Sequence, residues 1–161
     1  MDIIIRKFEN TDAERVADIM YASFNAVFGK SEKMVRRPAS YWQEISHGNT
    51  AGNITISYVA ESNGVVAGYL RVSINTSNGL GVLEVIGVDP NTFSRGIGQT
   101  LFAEAERFWK EHSIRKAYTC TSHTNLNAQK FYKKLGFEEE GRLKAHFHPD
   151  RDEIQLGKFY N

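Results

Sequence analysis

The stretch from Leu80 to Gln99 constrains this chain more than any other. An apolar run, Val82-Leu83-Glu84-Val85-Ile86, gives way to Gly87-Val88-Asp89-Pro90. A loop follows, Asn91-Thr92-Phe93-Ser94-Arg95-Gly96, and then an amphipathic run that begins at Ile97. That order predicts a strand, a glycine-containing turn and a helix. The first N–H groups of such a helix have no intrahelical acceptor and point out of the turn, where they bind phosphate. Gly96 and Gly98 remove the Cβ atoms that would hold a phosphate away from the backbone. The segment is not a P-loop, because no Gly-Lys-Ser/Thr follows. It is not a dinucleotide fingerprint either, because Leu101 stands where a third glycine belongs. Taken alone, the turn reads equally well as a tight connection with no ligand.

The rest of the chain must supply the context. Its 161 residues suit a single domain, residues 1–161, with a proper core. A net charge of +1 gives no electrostatic footprint for nucleic acid, and no apolar stretch reaches membrane-spanning length. The apolar N-terminal run is too short for a signal peptide, and one cysteine, Cys120, rules out an internal disulfide. Both point to the cytoplasm.

Periodicity and turn chemistry order the elements. Residues 2–8 read as a strand. Thr11-Asp12-Ala13-Glu14 reads as a capping box opening a helix on which Val16, Ile19, Met20, Phe24, Val27 and Phe28 form one stripe. A short helix is expected over residues 39–47, with Tyr41-Trp42 in the core or lining a pocket. Asn63-Gly64 joins strands 54–61 and 65–75, and Ser77-Asn78-Gly79 leads into 80–88, an antiparallel meander. A strand at 116–122, a helix near 126–134 and strands from 136 to about 145 and 153–160 complete the order. The fold class is α/β, an α+β mixed sheet of about seven strands flanked by about four helices on both faces.

The glycine segment resembles motif A of the GCN5-related N-acetyltransferase (GNAT) superfamily. There Gln/Arg-x-x-Gly-x-Gly/Ala follows a strand ending Val-x-Pro. Here Val88-Asp89-Pro90 and Arg95-Gly96-Ile97-Gly98 match, while Phe93 stands where the family prefers Gln or Arg. Downstream, residues 125–137 resemble the family's Asn-x-x-Ala-x-x-x-Tyr-x-x-x-Gly-Phe through Asn125, Ala128, Tyr132, Gly136 and Phe137. The element order is also the family's, so the resemblance spans essentially the whole chain. It implies a GNAT-like fold and transfer of an acetyl group from acetyl-CoA to a primary amine, on a small molecule or a protein. It also implies that Ile86, Gly87, Val88, Phe93, Ser94, Arg95, Gly96, Ile97, Gly98, Gln99, Thr100 and Asn125 hold the coenzyme. Asn127 competes with Asn125 for the pantetheine arm. The resemblance allows a homodimer, although no stripe is left over to mark its interface.

Two residues are candidates for the chemistry. Tyr132 matches the tyrosine that protonates the departing thiolate in many family members. It also sits on the stripe Ala128, Phe131, Tyr132, Leu135, so it can pack its ring and present its hydroxyl. Glu84 shares the period-2 face of Leu80, Val82, Ile86 and Val88, an apolar setting that would raise its pKa and suit it as a base. A glutamate at a bulge, or one paired with a cation, is the plainer reading. The expected reaction has Glu84 taking a proton from the amine through water. A backbone N–H, that of Ile86, would stabilise the oxyanion and Tyr132 would protonate the sulfur, with no acyl-enzyme. Acceptor selection falls to residues 21–42 and the last hairpin. Cys120 reads as a small buried core residue, and His146, His148, Asp150 and Asp152 as a solvated hairpin end rather than a metal site. The alternative function is a coenzyme A-binding sensor with little or no catalysis.

Overall fold

The computed structural model of the protein describes residues 2–93 and 95–160. Ser94, one of the expected coenzyme contacts, lies outside them. The chain runs β1 (Ile3–Lys7), α1 (Ala13–Phe28), α2 (Ala39–Ser46), β2 (Asn53–Ser62), β3 (Val65–Asn75) and β4 (Leu80–Val88). It continues through α3 (Ile97–Glu111), β5 (Lys116–Ser122), α4 (Leu126–Lys134), β6 (Glu138–His148) and β7 (Arg151–Phe159). The seven strands form one sheet in the order β1-β2-β3-β4-β5-β7-β6. All neighbours are antiparallel except β4 and β5, which α3 connects as a crossover. No helix among the described residues is long and apolar enough to cross a membrane.

Local chemistry explains most of these boundaries. Asn63 and Gly64 both take positive φ, 53° and 76°, as a tight hairpin between twisted strands demands. The entry to α1 differs from expectation. Residues Asn10–Asp12 form a 3-10 turn, and the capping box is made by Glu9 and Asp12 rather than by Thr11 and Glu14. Tertiary contact decides this. Asp12 is nearly buried, accepts the Glu9 N–H at 2.8 Å and takes both Arg6 guanidinium nitrogens at 2.8 Å. Burial alone would raise the Asp12 carboxyl, but the Arg6 and Glu9 bonds outweigh it and hold the pKa below its ordinary value. The lowered acid contributes stability above the ordinary carboxylate pKa of about 4, which is lost as pH falls through the folded value. Arg6→Met is therefore expected to cost about 1–3 kcal/mol at pH 7. In denaturant titrations the gap to the parent should shrink toward pH 2; a gap independent of pH would remove Asp12 as its cause.

The sheet separates two cores. On one face α3 and α4 supply Ile97, Leu101, Phe102, Ala105, Phe108, Trp109 and Tyr132, packed on Leu70, Val72, Leu83 and Leu156. On the other, α1 and α2 supply Val16, Ala17, Ile19, Met20 and Trp42, packed on Val59, Val66 and Tyr69. The apolar stripe of α1 outruns its core. Val16, Ile19 and Met20 are buried, whereas Phe24 and Val27 remain exposed.

Candidate active site

A break in the sheet creates the site. Strands β4 and β5 pair only from Leu80–Val82 to Lys116–Tyr118. Beyond that point β5 stays on β7, and the Thr119 hydroxyl donates to the Leu83 carbonyl at 3.0 Å in place of a further ladder bond. A cleft of about 760 Å³ opens between the diverging strands and is closed by the start of α3 and by α4. It is lined by Glu84, Ile86, Gly87, Val88, Phe93, Gly96, Ile97, Gly98, Gln99, Asn125 and Tyr132, which are widely separated in sequence. Arg95 is exposed on the loop and Thr100 lies one turn into α3, both outside the lining.

The two loop glycines do different work. Gly96 caps α3 at φ 81°, a conformation costly for any residue with a Cβ. A Cβ there would meet only the Gln99 side chain at 3.8 Å, so the ground before the helix is open. The first bond within α3 runs from the Thr100 N–H to the Gly96 carbonyl at 3.0 Å, and the Thr100 hydroxyl bonds the same oxygen. The Thr100 N–H is thus spent inside the helix, while those of Ile97, Gly98 and Gln99 precede this first intrahelical donor. Gly98 faces the Phe131 ring, 3.3 Å from where its Cβ would stand, and so lets α3 and α4 close over the cleft. Gly87 likewise lets Met20 lie against β4, since a Cβ there would strike the Met20 thioether.

Helix α4 is set by its N-cap. The Asn125 side-chain oxygen accepts the Ala128 N–H at 3.1 Å. The Gln129 amide ties the first turn to β5 through the Ser122 and His123 carbonyls at 3.2 and 3.0 Å. Tyr132 is thereby held at the floor of the cleft, 6% exposed. Burial pushes its phenol up to about 12, with the Thr119 hydroxyl pulling the other way. Asn127 is exposed on the same wall as Asn125. Cys120 is half-buried in this wall rather than in the core, and burial raises its thiol. His123 is engaged by β7: its backbone N–H donates to the Asp152 carbonyl at 2.9 Å, and the Asp152 N–H reaches its Nδ1 at 3.0 Å. Among the described residues no three His, Cys, Asp or Glu side chains gather as a metal site.

Glu84 departs from the period-2 expectation. The β3–β4 register pairs Arg71 with Val85 and Val72 with Leu83, so Glu84 is the extra residue of a β-bulge. The strand changes parity there. Gly81 and Leu83 face α3 before the bulge, and Ile86 and Val88 do so after it. Glu84 therefore does not share one face with four apolar neighbours. Its carboxylate pairs with Arg71, whose Nε is fixed by the Ile45 carbonyl at 2.7 Å.

Segments expected from sequence to select the acceptor, residues 21–42 and the last hairpin, enclose what Glu84 touches next. A second cavity of about 680 Å³ meets the cleft at Phe24, Glu84 and Val85 and is walled by Tyr21, Phe28, Tyr41, Trp42, Arg71 and the β6–β7 hairpin. A third, polar cavity of about 550 Å³ reaches Glu84 and Arg71 from the far end of β2 to β4. The exposed continuation of the α1 stripe was the available signal: Phe24, Val27 and Phe28 are apolar wall, not core.

A parted β4–β5 pair, a glycine-capped helix N-terminus and a buried tyrosine on the opposing helix thus meet in one cleft. The acetyltransferase (GNAT) family model matches residues 14–137, and the chain belongs to that family. Relatives include a Bacillus subtilis protein provisionally named a ribosomal-protein-bS18-alanine N-acetyltransferase, 25% identical over 94% of this chain and 91% of that one. A Salmonella typhimurium aminoglycoside N(6')-acetyltransferase type 1 is 32% identical over 54% of this chain and 65% of its own. The matched stretches span 41% to 65% of three curated relatives, less than two thirds of their length. The crystal structure of PaiA N-acetyltransferase from Thermoplasma acidophilum in complex with coenzyme A shares the fold, with a TM-score of 0.76 and 18% identity over 99% of this chain and 100% of that one.

Proposed function

We infer that the protein transfers an acetyl group from acetyl-CoA to a primary amine by direct attack within a ternary complex. The observation that carries this is the cleft itself, which brings the open start of α3, the unpaired edge of β4 and Tyr132 to one volume. The residues suit the coenzyme: N–H groups of Ile97, Gly98 and Gln99 for phosphate, the β4 edge at Ile86 to Val88 and the Asn125 amide for the pantetheine arm. When bound, acetyl-CoA supplies the acetyl group as a thioester.

The chain's own groups then divide the work. Glu84, at the junction of cleft and second cavity, accepts the ammonium proton through water, and Arg71 holds its carboxylate in place. An N–H on the β4 edge that β5 abandons, with Ile86 the expected donor, faces charge developing on the carbonyl oxygen. Tyr132 remains protonated through the working pH range. It gives the departing sulfur a hydrogen bond first and a proton as the C–S bond breaks.

Thermal shift tests the reading. Acetyl-CoA and coenzyme A in excess are expected to raise the melting temperature, and ATP and NAD are not. Gly96→Val puts a β-branched residue at φ 81° with its side chain in the open ground before α3. Strain of about 1–3 kcal/mol should lower its melting point, and the acetyl-CoA shift should be lost. An undiminished shift in this variant would show that the loop does not hold the coenzyme.

A further inference from the structure

The second cavity has a charge pattern that selects its occupant. Its two lining carboxylates are both paired, Glu32 with Arg151 at 2.8 Å and Glu84 with Arg71. Two further cations line it, Lys33 and Arg37. Neither has a carboxylate partner among the described residues, and the Arg37 guanidinium rests only over the Tyr41 ring, 5.3 Å from its centroid. In the same wall the indole N–H of Trp42, 5% exposed, is a buried side-chain donor without a hydrogen-bond partner. The charged side chains of the cavity left without an opposite charge among the described residues are therefore both positive, set against aromatic faces. A polyamine or aminoglycoside entering here would meet like charge and no free carboxylate. A carboxylate would meet two exposed cations that line this cavity and not the cleft, while Glu84 lines both.

We propose that the acceptor is a small primary amine that also carries an anionic group, the α-amino acid class with an apolar side chain. Lys33 and Arg37 receive the carboxylate, the ring faces of Tyr41 and Trp42 take the side chain, and the amine is presented toward Glu84. The proposal rests on the acetyltransferase reading and deepens it by naming the substrate class. The reaction balances without a further reactant: the amine nitrogen bonds to the acetyl carbon, the C–S bond breaks, and of the two protons that leave the ammonium nitrogen one passes by way of Glu84 to solvent and the other offsets the one taken by the thiolate.

The test measures free thiol release from acetyl-CoA with methionine and phenylalanine, their amides, their decarboxylated amines, spermidine and kanamycin. The free acids are expected to exceed the amides and amines at least about tenfold in kcat/KM, with the polycations lowest. In the double variant Lys33→Ala, Arg37→Ala, both surface positions, kcat/KM for the acids should fall about 10- to 100-fold through KM. The kcat for the acids, the amide rates and the acetyl-CoA KM should hold. Polycations preferred, acids and amides lowered alike, or a raised acetyl-CoA KM would each overturn the proposal; the last would assign the cations to the coenzyme. If no amine turns over, equilibrium binding to the protein saturated with coenzyme A decides. Tighter binding of the acid than of its amide supports the cavity assignment, and equal or absent binding overturns it. The acetyl-CoA thermal shift reports separately whether the acetyltransferase reading has failed.

Discussion

Replacing Tyr132 with Phe should lower kcat about 100-fold or more while leaving the acetyl-CoA thermal shift within error of the parent. The ring packs in the α3–α4 core against Phe131 and Phe137, with centroids 5.5 and 5.8 Å away, and Phe keeps those contacts. Only the hydroxyl is lost, at the floor of the cleft where the proposed reaction would release its sulfur. Burial is what suits this group to the proposed role. A phenol held near 12 is uncharged at any working pH, so it always has a proton to donate. The parent should accordingly show no loss of kcat from this residue up to about pH 10, where the free phenol would already be half ionised but the folded one is not. Steady-state rates across the pH range, measured beside coenzyme binding, check both statements. A Phe variant within about threefold of the parent would leave Tyr132 as a packing residue and require another source for the proton. Cys120, half-buried in the same wall, would be the next group to examine.

The second large effect is structural. Trp109 is fully buried at the centre of the larger core, donates its indole N–H to the Ser73 carbonyl at 3.3 Å, and stacks edge-on with Phe102. Gly81 lies so close that a Cβ there would strike the indole, so the ring sits directly on the one stretch of β4 still paired with β5. Trp109→Ala removes the indole and leaves the Ser73 carbonyl without this donor, an expected loss of about 3–5 kcal/mol. Denaturant unfolding should show it as a shifted midpoint at unchanged slope. Trp109→Phe keeps most of the volume and should cost about half as much. The effect also reaches the site, because Trp109 anchors the helix whose N-terminus faces the cleft. Acetyl-CoA should recover part of the lost melting temperature in the Ala variant, by mass action on the folded state. A cost below about 1 kcal/mol would mean the core collapses around the cavity and that α3 is held elsewhere.

Much of this was legible before any coordinates. The bounds of β3, β4, β5 and α4 follow from turn residues and periodicity that act over a few positions: Asn63-Gly64, Ser77-Asn78-Gly79, and Asn125 as N-cap. The cleft proposed for the coenzyme was readable for the same reason. The backbone groups proposed to hold it are placed by a strand–glycine–helix order that a local sequence specifies, and of the expected residues that the structure describes all but Arg95 and Thr100 line the cleft.

What the tertiary structure decided lies where distant segments negotiate. The bulge at Glu84 arises from register with β3, and it alone turns an apparently apolar-faced glutamate into one paired with Arg71 at the meeting of three cavities. Asp12 became a cap because Arg6 bonds it across the entry to α1. Lys33 and Arg37 line a cavity only because their segment folds beside α1, α2 and the β6–β7 hairpin. Periodicity and turn chemistry are written in neighbouring residues. Register, ion pairing and the wall of a cavity depend on which strangers in sequence end up within a few ångströms, and that is settled only when the whole sheet has paired.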